Sequence, residues 1–259
     1  MQMAPQLQPR ISATIITKNE EENIEDCLKS LTWVDEIVVL DCGSDDRTVE
    51  VAKKFTDRVF IEAWRGQGSQ KNRAVELAAG PWIFSVDADE RVTPELAREI
   101  REVMRLGEKS AYAMRRKNFY KDQWINHCGW WPDWVKRVFV KGQARFSSDV
   151  IHDSLQVATA VGKLEHPIVH HSFKSPEDFL NRAYWYAHHQ AREMHAQGRK
   201  ASLWTAISHA GYAFLQTYFL RLGLLNGAAG LLVSVSNAVG VFYRYMMLRD
   251  LIMEERKGN

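Results

Sequence analysis

Four short runs rich in β-branched and apolar residues recur between Ile11 and Arg105, each followed by a helix-like segment, and this alternation constrains the fold more than any other feature. The runs are Ile11–Thr17, Glu36–Asp41, residues 59–62 and residues 82–86. The helix-like segments are residues 20–31, 46–55, 69–79 and 94–105. Strand followed by helix, repeated, predicts a parallel sheet covered on both faces. In such sheets ligands bind at loops beyond the carboxyl ends of the strands. Asn19 is a candidate cap for the first helix, and Gly80-Pro81 stops the third.

The rhythm breaks over residues 111–171, where short strand-like runs at 135–140 and 167–170 suggest a mixed, mainly antiparallel half. Trp124, Trp130, Trp131 and Trp134 crowd this stretch; two are expected as core anchors and the others as acceptor contacts. From Ser175 the pattern is helical to the end, with a first helix reaching His195. Residues 203–220 and 222–243 carry no formal charge and are separated only by Arg221. Their length passes for membrane spans, but Ser208, His209, Gln216, Asn226, Ser234, Ser236, Asn237 and several glycines dilute them. The reading is a helical hairpin lying on, or partly inserted into, a membrane surface. Spanning helices and a core- or dimer-forming hairpin are the alternatives. Arg244 and Arg249 are placed to meet anionic headgroups. The expected division is 1–174 for a catalytic domain, with a nucleotide-binding half 11–106 and an acceptor half 107–174, and 175–259 for a helical extension.

A chain of 259 residues can bury roughly 70–75% of its unfolded surface and needs no disulfide staples. Its formal charge of +2 excludes a nucleic-acid binder relying on a strongly basic face. The three cysteines, Cys27, Cys42 and Cys128, form no C-x-x-C pair, so a reduced cytosolic chain is expected. Residues 1–10 are polar and lack the apolar region of a signal peptide.

Three loops carry candidate chemistry. Asp87-Ala88-Asp89 follows the fourth strand. Residues i and i+2 of an extended segment point the same way, and two carboxylates on one side suit a hard divalent cation, Mg2+ or Mn2+. Asp41 to Thr48 (DCGSDDRT) follows the second strand. Gly43 permits a tight turn and residues 44–46 suit a helix cap, which leaves Asp41 as an acceptor for the edge of a nucleotide base. Gly66 to Asn72 (GQGSQKN) leads into a helix whose first turn holds Lys71 and Asn72. Free N–H groups and a cation there suit phosphate, although the P-loop spacing is absent. No G-x-G-x-x-G follows the first strand, which disfavours a nicotinamide enzyme.

The succession ISATIITKNEEENIEDCLKSL, VVLDCGSDDRT and GQGSQKNRAVELAAGPWIFSVDADE resembles family 2 glycosyltransferases of the GT-A fold. Further on, IHDSL and HPIVHHSF resemble the branch that builds lipopolysaccharide core, β-glucosyltransferases acting on an inner-core heptose. The resemblance runs from Ile11 to about Arg249. It implies an α/β, Rossmann-like nucleotide-sugar fold with a mixed sheet and a membrane-associating helical extension. It implies an inverting transfer from a UDP-sugar, glucose in this branch's manner, to a lipid-linked saccharide, with Mg2+ or Mn2+ as cofactor. It places the enzyme in the cytoplasm, peripheral on the inner face of the cytoplasmic membrane, and allows a homo-oligomer. By motif match Thr17 and Glu20 line the nucleotide, Asp41 sits by uracil, Lys71 approaches the diphosphate, Asp87 lies near ribose or metal, and Asp89 ligates the metal. Many members carry two adjacent aspartates after the second strand where this chain has Asp41-Cys42, so the uracil contact stays open between the two positions.

An inverting transfer to a hydroxyl needs a base. The candidates are Asp153 in I-H-D, Asp133 in W-W-P-D-W and Glu90 beside the metal motif. The branch resemblance favours Asp153, with Asp133 reading the acceptor. His170 or His171 completes the metal shell if this chain follows those GT-A enzymes that use a late histidine; strand packing is the alternative. Arg137 is assigned to phosphate contact or to the exposed surface. A polyprenyl phosphate acceptor, with a UDP- or GDP-sugar donor, is the competing reading, and a scaffold without activity is a third.

Overall fold

The computed structural model describes residues 10–147 and 154–258, the side chains of 256–258 excepted. In chain order the elements are β1 (Ile11–Thr17), α1 (Ile24–Lys29), β2 (Glu36–Asp41), α2 (Thr48–Ala52), β3 (Val59–Ile61), α3 (Gln67–Leu77), β4 (Trp82–Asp87), β5 (Glu90–Arg91) and α4 (Pro94–Leu106). There follow β6 (Ala111–Tyr120), β7 (Gln123–Trp124), β8 (Asp133–Val140), β9 (Ala144–Phe146), β10 (Leu155–Val157), β11 (Gly162–Lys163) and β12 (Ile168–Phe173). The chain closes with α5 (Pro176–Ala196), α6 (Leu203–Leu215) and α7 (Gly227–Gly258). Two compact units emerge among the described residues: 10–116 with 133–147 and 154–170, and 117–132 with 171–258.

In the first unit the sheet order is β3-β2-β1-β4-β8-β6-β12-β5. β1, β2, β3 and β4 are parallel, and β8 runs antiparallel to both β4 and β6. The sheet is mixed, as the change of rhythm after residue 106 implied. Side chains alternate along each strand, so Ile11, Ala13 and Ile15 of β1 face a core shared with Ile24, Leu28, Leu96 and Ile100 of α1 and α4. The opposite faces of β2, β4 and β8 send Val38, Ile83 and Phe139 to a second core with Phe146 of β9 and Val75 of α3. α4 starts where Thr93 accepts from the Leu96 N–H at 3.3 Å, carries Pro94 in its first turn, and ends at Gly107, whose φ of 64° suits a residue without Cβ.

Two expected helices are shorter than their sequence pattern. α1 begins at Ile24, and residues 20–23 form a turn instead. Asn19 does not cap it: with φ at 55°, its side chain accepts from the Asp45 N–H at 2.9 Å, while its own N–H donates to the Ser44 hydroxyl at 2.8 Å. α2 likewise begins at Thr48, because Asp46 is drawn into the same loop.

The second unit is a helical bundle with the aromatic segment 117–132. α5 opens on a capping box, Ser175 accepting from Asp178 N–H and Asp178 accepting from the Ser175 and Lys174 N–H groups. Trp130 stacks near Phe173 and Phe179, and Trp124 meets Trp131 edge-on at 5.2 Å. The uncharged run 203–220 forms α6 and a π-turn (Gln216–Leu220); a 3₁₀ turn (Gly223–Asn226) then leads into α7. Among the described residues only the stretch Gly223–Glu255 is long and apolar enough to cross a membrane.

Candidate functional site

Register brings the expected loops onto one rim of the first unit. β1 pairs with β2 so that Thr17 stands opposite Asp41, and with β4 so that Ile16 stands opposite Asp87. Three neighbouring parallel strands therefore end level. The first two loops are laced together: beside the Asn19 bonds, Glu20 N–H donates to Thr48 Oγ1 at 2.8 Å and Glu21 N–H to Asp46 at 3.1 Å. The Glu20 carboxylate accepts from the Asn23 amide at 2.7 Å. Thr17 is buried, and its hydroxyl has no hydrogen-bond partner among the described residues.

Asp41 is only 1% exposed. Its Oδ2 accepts from the N–H groups of Gly43 and Ser44 at 2.9 and 2.8 Å, and its Oδ1 from the Ser44 hydroxyl. Its own turn thus accounts for the acid that strand-to-helix chemistry left unexplained in the sequence. Cys42 beside it is buried; burial first, then the Asp41 charge, push its thiol up to about 11.

The extended geometry expected for Asp87 and Asp89 does not run through both residues, because 88–89 form a turn. The two carboxylates have separate partners. Asp87 ends β4; Lys71 Nζ lies 3.1 Å from its Oδ1, and Arg137 pairs with its Oδ2. Burial alone would push the Asp87 carboxyl up, but Arg137 and Lys71 outweigh it and hold the group well below the usual carboxylate range. Burial disfavours the Arg137 cation, and the Asp87 and Glu90 carboxylates more than reverse this, pushing it above its ordinary value. Lys71 is itself buried, with Nζ 5.5 Å from the Phe146 ring centroid. Its neighbour Asn72 serves the fold: its amide binds the Phe146 backbone at both N and O, each at 2.9 Å.

Asp89 turns to β12, where His170 Nε2 lies 3.0 Å from its Oδ2. The pairing of β5 with β12, which sets Glu90 opposite His170, brings them together. Strand alternation turns His171 the other way, its ring 5.7 Å from Phe119. Among the described residues no three His, Cys, Asp or Glu side chains cluster as a ready metal cage. A carboxylate and an imidazole at hydrogen-bond distance do suit two positions of a divalent ion, with diphosphate oxygens and water for the rest.

Glu90 is fully buried, which rules it out as a base reaching an acceptor. Its Oε2 accepts from the Asp87 N–H at 3.0 Å and its Oε1 pairs with Arg137 at 2.6 Å. Arg137 is neither on the surface nor free for phosphate; it is buried between two acids. Arg116 continues the series, 3.9 Å from Glu90 Oε1 and 2.8 Å from Asp133 Oδ2. Lys71, Asp87, Arg137, Glu90, Arg116 and Asp133 thus form one chain of alternating charge along the rim. The Glu90–Arg137 pair was missed from sequence. Its signal was an arginine inside the apolar run 135–140, where a cation needs a buried acid. Asp153 and His152 lie outside the described residues.

Comparison with known proteins adds the following. The model of Glycosyl transferase family 2 matches residues 12–160. An uncharacterized glycosyltransferase of Rickettsia typhi is 30% identical, over 95% of this chain and 89% of its own length. The lipopolysaccharide core biosynthesis glycosyltransferase LpsC of Rhizobium meliloti is 27% identical, over 90% of this chain and 89% of its own. Among solved structures, glucosyl-3-phosphoglycerate synthase from Mycobacterium tuberculosis, in complex with Mg2+ and uridine-diphosphate, is similar with a TM-score of 0.49 and 17% identity, covering 75% of this chain and 82% of that one.

Proposed function

We propose, from the premise that the chain belongs to glycosyltransferase family 2, that it moves a sugar, glucose in the first instance, from a UDP-sugar to a lipopolysaccharide inner-core acceptor at the membrane surface, inverting the anomeric centre. The observation that carries this reading is the convergence of Asp89 and His170 on the rim where β1, β2 and β4 end. The similarity to LpsC supports the choice of acceptor.

In this reading the nucleotide lies over the ends of β1 and β2. Thr17 offers an unpartnered hydroxyl, and Glu20 and the Asp41 turn shape the floor. Lys71 supplies fixed positive charge beside the diphosphate, in a site that Asp87 and the buried Arg137 keep organised. Asp89 and His170 would hold Mg2+ or Mn2+, and the bound ion would offset negative charge on the departing UDP. The acceptor hydroxyl attacks the anomeric carbon opposite the leaving group, and Asp153 takes its proton. Asp133, oriented by Arg116, reads the acceptor.

The test is a screen of nucleotide-sugar donors with the purified enzyme and lipopolysaccharide from a strain lacking it, read by mass spectrometry. The expected result is one added hexose from the UDP-linked donor only. Transfer to a polyprenyl phosphate with no change in the lipopolysaccharide overturns the acceptor assignment. Absence of transfer to either, with donor still bound, overturns the enzymatic reading.

A further inference from the structure

The second unit presents an outer surface, formed by α6 and the elbow after it, with no acidic residue on it. α6 and the π-turn after it pack against α7, with Ala206 and Ala213 of α6 and Thr217 of the turn buried. Thr217 in turn accepts from the Asn237 amide of α7 at 2.9 Å. The opposite side of α6 is left outside. Residues three and four apart share a helix face, and here they are Trp204, Ile207, Ser208, Gly211 and Leu215, with Tyr212 at the margin. Trp204 is 78% exposed, and the elbow beyond α6 continues the surface with Leu220, 73% exposed, and Leu225. Arg199 and Lys200 before α6 and Arg221 in the elbow are all exposed, and between residues 199 and 225 they are the only formal charges.

We infer that α6 and the elbow form an in-plane lipid-binding face, seated on a bilayer with anionic headgroups, and that α7 does not span it. The inference deepens the membrane-surface part of the proposed function and rests on it. An exposed apolar and aromatic stripe bounded by cations and free of acids fits the headgroup–acyl boundary. Tryptophan and tyrosine prefer that level, and the cations meet anionic lipid.

α7 is the longer and more apolar candidate, but its neighbours decide against spanning. Its small and polar residues face into the bundle: Ser234 is buried and donates to Gly230 O at 2.7 Å. A Cβ on Gly230 would collide with Gly223, and one on Gly240 would stand 3.3 Å from Ala183 of α5. Arg244 donates to Gln190 of α5 at 2.8 Å. α5 therefore travels with α7, and it carries exposed Arg182, Arg192 and Glu193. A spanning α7 would drag these charges into hydrocarbon, which membrane helices avoid. α6 can seat on lipid with no such cost.

The experiment uses the full chain and sedimentation with vesicles of phosphatidylcholine alone or mixed with phosphatidylglycerol. Trp204→Ser, Leu215→Ser and Leu220→Ser are combined in one variant; all three positions are exposed, so circular dichroism and melting should match wild type. Wild type is expected to prefer the phosphatidylglycerol vesicles, and the triple variant to bind them about tenfold less or worse. A C-terminal epitope tag on inner-membrane vesicles with the cytoplasmic face outward should be cleaved by added protease. A triple variant that binds like wild type overturns the assignment to α6 while leaving membrane association standing. A protected tag overturns the in-plane arrangement. Wild type that ignores both vesicles, and a dimer that the triple variant dissolves, make the face a contact between copies, and the membrane-surface reading falls with it.

Discussion

His170 Nε2 stands 3.0 Å from Asp89 Oδ2, so a histidine of β12 meets the carboxylate just past the end of β4, 81 residues earlier in the chain. If this pair holds the divalent ion, Asp89→Asn and His170→Ala should each weaken Mn2+ binding seen by calorimetry in the presence of UDP. Turnover should fall ~10²-fold or more, as when one element of transition-state charge stabilisation is lost. Unchanged calorimetry in both variants, or full wild-type activity in excess chelator, removes the metal from the pair.

Arg137 sits buried between Asp87 and Glu90. Arg137→Met leaves two acids without their shared cation, and breaking a buried pair from one side typically costs about 3–5 kcal/mol. Urea titration should show that loss as a lower midpoint. A change below about 1 kcal/mol, the range of exposed pairs, would mean water reaches the acids and replaces the arginine.

The Asp87 carboxyl is held below its ordinary range by Arg137 and Lys71 against the push of burial. Its ordinary value is about 3.9. A group depressed in the folded state stabilises above that unfolded value, and the contribution drains away as pH falls toward the folded one. The stability gap between wild type and Asp87→Asn should therefore be level from neutral pH down to about 5 and shrink below about 4. A gap that closes instead between pH 6 and 8 would point to a different titrating group.

Asp153→Asn should cut turnover ~10²-fold or more while leaving UDP affinity near wild type, because a base acts in the transition state. Asp133→Asn is expected to raise the acceptor KM more than it lowers kcat, since Arg116 already occupies one of its oxygens. Reversal of the two phenotypes exchanges the roles. Near-normal turnover in both means the acceptor arrives ionised, as a phosphate does.

All three thiols are buried. Burial pushes Cys42 and Cys128 up to about 11, and Cys27 higher still. At pH 8 the thiolate fraction is on the order of 10⁻³, which makes buried cysteines inert. A colorimetric disulfide reagent should titrate none of them within minutes in the native protein and all of them in guanidinium. Fast native labelling of Cys42 would show that the β2 loop opens.

The parallel half was legible because its information is local. Runs such as Ile11–Thr17 and Glu36–Asp41 carry β-branched residues at strand spacing, glycine and proline mark the breaks, and covering helices follow at once. The motif loops were legible for the same reason, since strands in sequence order end on one rim. What only the tertiary structure decided is who pairs with whom. Asp87 and Asp89 are two residues apart and looked like one carboxylate pair, but the turn at 88–89 sends one to Lys71 and Arg137 and the other to His170. Asn19 looked like a helix cap until the β2 loop came close enough to claim it. The uncharged runs looked equivalent, yet α7 is enclosed along its small-residue face while α6 is left with an outer one. Composition and spacing report what each segment can bury or bind; a buried charge finds its partner, and a helix its covered face, only when strands distant in sequence are brought into register.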